Sequence, residues 1–139
     1  MVYQATQVIY DAMKEHNLEC GMEARDEFSA VHIGINTEST SFEARFISRS
    51  DENDVALRIF NLLKFPPERT ESMLLAVNEC NFKYRFLRFV VDTKNNAVDA
   101  CYDFTGHSGI FGETAYELLL RSASIIDNCY PVLMHEISG

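Results

Sequence analysis

No run of apolar residues in this chain is long enough to cross a bilayer. No C-x-x-C pair occurs, and the four cysteines, Cys20, Cys80, Cys101 and Cys129, are widely and irregularly spaced. Structural zinc and thioredoxin-like redox chemistry both require close pairs, so both lose support, and reduced, buried thiols are expected instead. No Asn-x-Ser/Thr acceptor is present, and the opening residues Met1 to Gln7 carry neither a basic nor an apolar leader region. These absences predict a cytoplasmic protein. Positive charge is also scarce: 12 Lys and Arg stand against 21 Asp and Glu, a net charge of −9. Such a field repels phosphate backbones and argues against a nucleic-acid partner. Lys83, Arg85 and Arg88 form a small basic cluster, read here as a solvated strand edge.

Apolar residues make up 47% of 139 residues, enough for one hydrophobic core, and no repeat, low-complexity tract or linker divides the chain. A single domain over residues 1–139 is therefore expected. Val2, Ala5, Ile9, Ala12 and His16 recur at helical spacing and predict an amphipathic helix over 2–16, with Asn17 as its stop. Val31, Ile33 and Ile35, then Phe42, Ala44 and Phe46, alternate with polar or small neighbours and predict strands over 28–36 and 40–49. The polar runs Asn36 to Ser39 and Ser50 to Asn53 read as turns. A third strand is expected at 55–63. Pro66-Pro67-Glu68 suits a helix start, with Met73, Leu74 and Val77 as the apolar stripe and Asn81 as the close after Cys80. Two further strands, 84–92 and 97–104, flank the Asn-rich segment Asp92 to Asn96. Both carry apolar residues on two faces and are expected to be central and covered on both sides.

The strongest periodic signal is C-terminal. Phe111, Ala115, Leu118, Ser122, Ile125, Cys129 and Val132 step by four and three, and Leu119, Ile126 and Leu133 form a second row at seven. Pro131 is expected to kink this long helix or to start a new turn. The stripe packs on the chain's own sheet, or part of it, through Phe111, Leu118, Leu119, Ile125, Ile126 and Val132, forms a partner or dimer surface.

Catalytic equipment is missing. His16, His32, His107 and His135 have no metal-ligand spacing, H-E-x-x-H is absent, and no G-x-S-x-G elbow is present. The segment Gly106-His107-Ser108-Gly109-Ile110-Phe111-Gly112 could hold an anion at a helix start, as a small-molecule sensor or a hydrolase would. It lacks the Lys-Ser/Thr of a P-loop, does not fit G-x-G-x-x-G, and Glu113 and Glu117 already occupy the helix dipole. The residues thus predict a non-enzyme without metal or cofactor. The fold class is α+β, an antiparallel sheet of about five strands with flanking helices in the order α-β-β-β-α-β-β-α.

Several features resemble the YbjN family of bacterial sensory-transduction regulators. They are Phe65-Pro66-Pro67 opening a helix, Asn78 and Asn81 near its end, and an aromatic-rich hairpin around Phe86-Leu87-Arg88-Phe89 and Tyr102-Asp103-Phe104. A final helix through Asp127 and Pro131-Val132-Leu133 completes them. The resemblance implies a fold similar to type III secretion chaperones, often dimeric, and a non-catalytic role in binding another protein or a second copy. It supplies no catalytic residues.

Overall fold

The computed structural model describes residues 1–50, 54–106 and 108–138. Its elements are α1 (Gln4–Glu15), β1 (Cys20–Ala24), β2 (Ser29–Asn36), β3 (Ser41–Ser48), β4 (Asp54–Lys64), a 3-10 turn (Pro67–Arg69), α2 (Thr70–Lys83), β5 (Arg88–Asp92), β6 (Ala97–Thr105) and α3 (Ser108–Ser138). The strands form one antiparallel sheet in the order β1-β2-β3-β4-β6-β5. The helices line one face, with α1 over β1–β3, α2 against β5, and α3 touching both other helices.

Period-two alternation explains this two-layer arrangement. Val31, Phe46, Leu57 and Tyr102 stand opposite one another across four strands on the helix side, and the first three are fully buried. The next row, His32, Arg45, Arg58, Cys101 and Arg88, faces outward. Two of its charges are answered locally: Arg45 meets Glu43 at 3.1 Å and Arg58 meets Asp103 at 2.7 Å. Only one face of the sheet is therefore dry.

Asn17, at φ 61°, ends α1 as expected. The Leu18 amide donates to the Met13 carbonyl and the Asn17 amide to that of Lys14, both at 3.0 Å, which satisfies the last carbonyls of the helix. The closest approach of α1 to α3 falls at Gly112. A Cβ there would stand 2.7 Å from the Ala12 Cβ and 3.2 Å from the Val8 carbonyl oxygen, so the residue's lack of a side chain sets the helix spacing.

Four expectations need correction. A sixth strand, β1, escapes periodicity because Cys20-Gly21-Met22-Glu23-Ala24 is short, mixed and on an edge. The element order is therefore α-β-β-β-β-α-β-β-α. The strand expected at 84–92 begins only at Arg88, and β5 is an edge with an exposed outer face instead of a central strand covered on both sides. Asn81 does not close α2, which runs on to Lys83. Its side chain instead clasps the free edge of β5: the amide nitrogen donates to the Phe89 carbonyl at 2.9 Å, and the amide oxygen accepts from the Phe89 N–H at 2.7 Å. Finally, α3 continues through Pro131, so the proline starts no separate helix. Proline removes the donor that would have satisfied the Asp127 carbonyl four residues back. The Ser39 hydroxyl, from the β2–β3 turn, lies 3.2 Å from that carbonyl and can share its one proton between it and the Asp127 carboxylate. The Ser39 amide donates to that carboxylate and the hydroxyl reaches it, both at 2.8 Å. The turn expected at Ser50 to Asn53 lies, beyond Ser50, outside the described residues.

Candidate functional site

α2 is apolar on two faces, and only one is used by the fold. Met73, Ala76, Val77 and Cys80, at helical spacing, are buried. Leu74, counted with that stripe from sequence, turns outward together with Leu75 and Phe82. Phe82 is 94% exposed and Leu75 68% exposed. On the neighbouring α3, Val132 is 44% exposed. Between them runs a groove of about 580 Å³, bounded by Phe82, Lys83 and Tyr84 on one side and Asn128 and Val132 on the other.

Cys80 and Cys129 form the groove floor. Their free thiols neighbour each other across the two helices without forming a disulfide. Burial, and then the neighbouring thiol, push Cys129 up to about 12, and burial likewise raises Cys80. Both therefore stay protonated at neutral pH and behave as packing groups, not nucleophiles.

A second groove of about 330 Å³ continues the seam past Lys83 and Tyr84 to Arg85, Phe86 and Arg121. The turn that builds this end is strained. Phe86 has φ 74°, and the Leu87 amide donates to the Arg85 carbonyl at 2.9 Å, a γ-turn of the rare positive-φ form. A bulky residue held there costs about 1–3 kcal/mol, and the geometry leaves the Phe86 ring 39% exposed. The Arg121 guanidinium sits 5.0 Å from that ring, and the Lys83 ammonium 5.7 Å from the Tyr84 ring. The opposite end of the seam, lined by Leu75 and Val132, carries Glu136, and Glu79 lines both this end and the main groove.

The sequence-predicted sites fall elsewhere. Phe111, Leu118, Leu119, Ile125 and Ile126 are all buried in the core, although Ile125 also lines the second groove. The reason is that α3 is flanked by α1 and α2 over the sheet, which consumes its wide apolar face; the Phe111 ring packs edge-on at 6.0 Å from Phe104. Val132 alone of that set is exposed, on the seam. In the Gly-rich segment, His107 lies outside the described residues, while Ser108 and Gly109 are the first two residues of α3. Glu113, one turn on, is taken by His16, whose Nε2 lies 3.1 Å away and whose ring stacks on Tyr116 at 3.6 Å. Among the described residues no three His, Cys, Asp or Glu side chains gather as metal ligands, and no helix is long and apolar enough to cross a membrane. Phe82 and Phe86 were missed as site residues. The usable signal was a phenylalanine off the buried stripe, Phe82, next to the basic cluster Lys83, Arg85 and Arg88.

No curated protein matches the chain. A solved structure described as that of "YbjN, a putative transcription regulator from E. coli" superposes with a TM-score of 0.61 at 10% identity, over 90% of each chain. At that identity the likeness is one of fold. The YbjN family model, described as "Putative bacterial sensory transduction regulator", matches residues 6–134. That description is of a regulator, not of an enzyme. The match reaches every helix and strand of the sheet-and-helix layer described above, and the chain belongs to the YbjN family.

Proposed function

We propose that this chain is a non-catalytic binding module, chaperone-like or regulatory, which holds a segment of another protein in the seam between α2 and α3. The observation that carries the reading is the unburied apolar strip Leu75, Val132, Phe82 and Phe86 lining continuous grooves. Covering a side chain such as Phe82 is worth about 1.5–3 kcal/mol, which the isolated chain forgoes. A strip of this kind, rimmed by polar residues, is what a helix-in-groove or extended-segment partner requires. Four free thiols, two of them in contact and unbridged, fit a reducing compartment such as the cytoplasm.

A homodimer built on the C-terminal helix loses its surface, because that surface is core. Two-fold pairing of the seam on itself would set its cationic end against the acidic end of the copy, so a second copy is the competing occupant. The reading adopted is for a different chain, and an adduct at Phe82 with a second copy of this chain would overturn it. Site-specific photo-crosslinking tests it. A photoreactive phenylalanine analogue at Phe82, introduced in the source bacterium, should give a discrete protein adduct. The same analogue at Phe60, 50% exposed on β4 away from the seam, should not. Adducts at Phe60 alone, or at neither position, would refute the proposal.

A further inference from the structure

We infer that the segment held in the seam is acidic at one end: an aromatic or aliphatic residue lies along Phe82, and Asp or Glu side chains follow it toward Lys83, Arg85 and Arg121. This rests on the seam being the binding site and specifies the chemistry of its occupant. The chain carries a net charge of −9, yet three of its cations gather around the Phe86 groove. All three are exposed, and none lies within 4.0 Å of a carboxylate among the described residues. Among the described residues only Arg25, Arg45 and Arg58 of the 12 Lys and Arg have a carboxylate partner, so what sets Lys83, Arg85 and Arg121 apart is that they gather on one apolar groove. In a chain with 21 acidic residues, cations left unanswered at the mouth of an apolar groove are placed for carboxylates from outside.

The two rings beneath them sharpen the placement. Arg121 over Phe86 and Lys83 over Tyr84 hold cations at the apolar surface itself, so one segment can bury a side chain and pair its charge within a few residues. Glu136 at the opposite end repels acidic residues there and gives the segment a direction, while Glu79, one turn before Lys83, lines the groove between the two ends. A nucleic acid fits less well, because three cations within an acidic surface cannot track a phosphate backbone.

The test uses the intact chain and a displayed library of random peptides about twelve residues long, enough to span the seam. Enriched peptides should carry an aromatic or aliphatic residue with Asp or Glu on one side of it. For the best synthetic peptide, followed by fluorescence anisotropy, the double variant Lys83→Glu with Arg121→Glu should weaken binding at least about tenfold, and added salt should weaken binding to the native chain. Phe82→Ala should weaken it by a comparable factor. Unchanged circular dichroism and melting behaviour would show that these surface variants fold. Peptides without acidic bias that ignore the charge reversal but are lost with Phe82→Ala would overturn the acidic chemistry and leave the seam standing. No enrichment, or binding indifferent to Phe82→Ala, would overturn both. A random-sequence DNA duplex that binds the native chain and is released by the same charge reversal would also overturn the inference, in favour of nucleic acid.

Discussion

The clasp between Asn81 and Phe89 is the most sharply defined contact holding the seam's helix to the sheet. Phe89 is buried, at 2% exposure, on an edge strand whose outward N–H and C=O find no further strand. Asn81 satisfies both at 2.7 and 2.9 Å. Asn81→Ala removes two hydrogen bonds and strands two buried backbone groups. At about 1–3 kcal/mol for each unsatisfied group, tempered by water reaching the strand edge, the loss should be about 2–3 kcal/mol. For a domain of this size that corresponds to a fall in Tm of roughly 6–9 °C. Asn81→Leu, similar in volume, should lose as much, because hydrogen bonding and not packing is at stake. Asn81→Asp keeps the acceptor for the Phe89 N–H but sets a carboxylate against the Phe89 carbonyl. Its deficit should narrow as pH falls through the ordinary aspartate range, where the protonated group can donate again. Urea unfolding measures the stability, and hydrogen exchange at the Phe89 amide reports the edge locally. A loss for Asn81→Ala below about 0.5 kcal/mol, or an unchanged Phe89 exchange rate, would refute the reasoning.

Three further outcomes follow from the same geometry. Gly112→Ala should destabilise by about 1–3 kcal/mol in thermal unfolding, since its Cβ would meet the backbone of α1 as well as the Ala12 side chain. The hydrogen bonds from Ser39 hold the Asp127 carboxyl below its ordinary range. Its contribution to stability is therefore complete above the unfolded aspartate value and is lost as pH falls through the lower folded one. The gap between the native chain and Ser39→Ala should accordingly shrink in acid unfolding series. Cys129, pushed to about 12, should be alkylated by iodoacetamide at pH about 8 at least a hundredfold more slowly in the native chain than in urea, as mass spectrometry of the labelled peptide would show.

What the sequence revealed depended on how far each residue's role was local. The strands over β2, β3 and β4 were legible because one face is dry and the other wet, which writes period two into Val31, Ile33, Ala44 and Phe46. Asn17 was legible because a left-handed helix stop is a property of a single residue. The roles of Asn81 and Pro131 were not. Asn81 acts on a strand eight residues away, and the carbonyl freed by Pro131 is met by a hydroxyl 88 residues earlier in the chain. The outer face of the helices was not legible for a related reason. The apolar rows of α3 and the outer residues of α2 are equally hydrophobic, and only the packing of α3 between α1 and α2 decides which of them meets water. The acidic character and the missing catalytic motifs needed no such context.

The central claim is that the α2–α3 seam is where this protein is occupied. It is tested most directly by titrating the isotopically labelled intact chain with the best selected peptide and following the amide and side-chain NMR signals. The account expects the largest shifts at Phe82 to Phe86, Arg121 and Asn128 to Val132, with those of the outer row His32, Arg45 and Arg58 unmoved. Shifts centred on Gly106 to Gly112, or on that outer row, would contradict it.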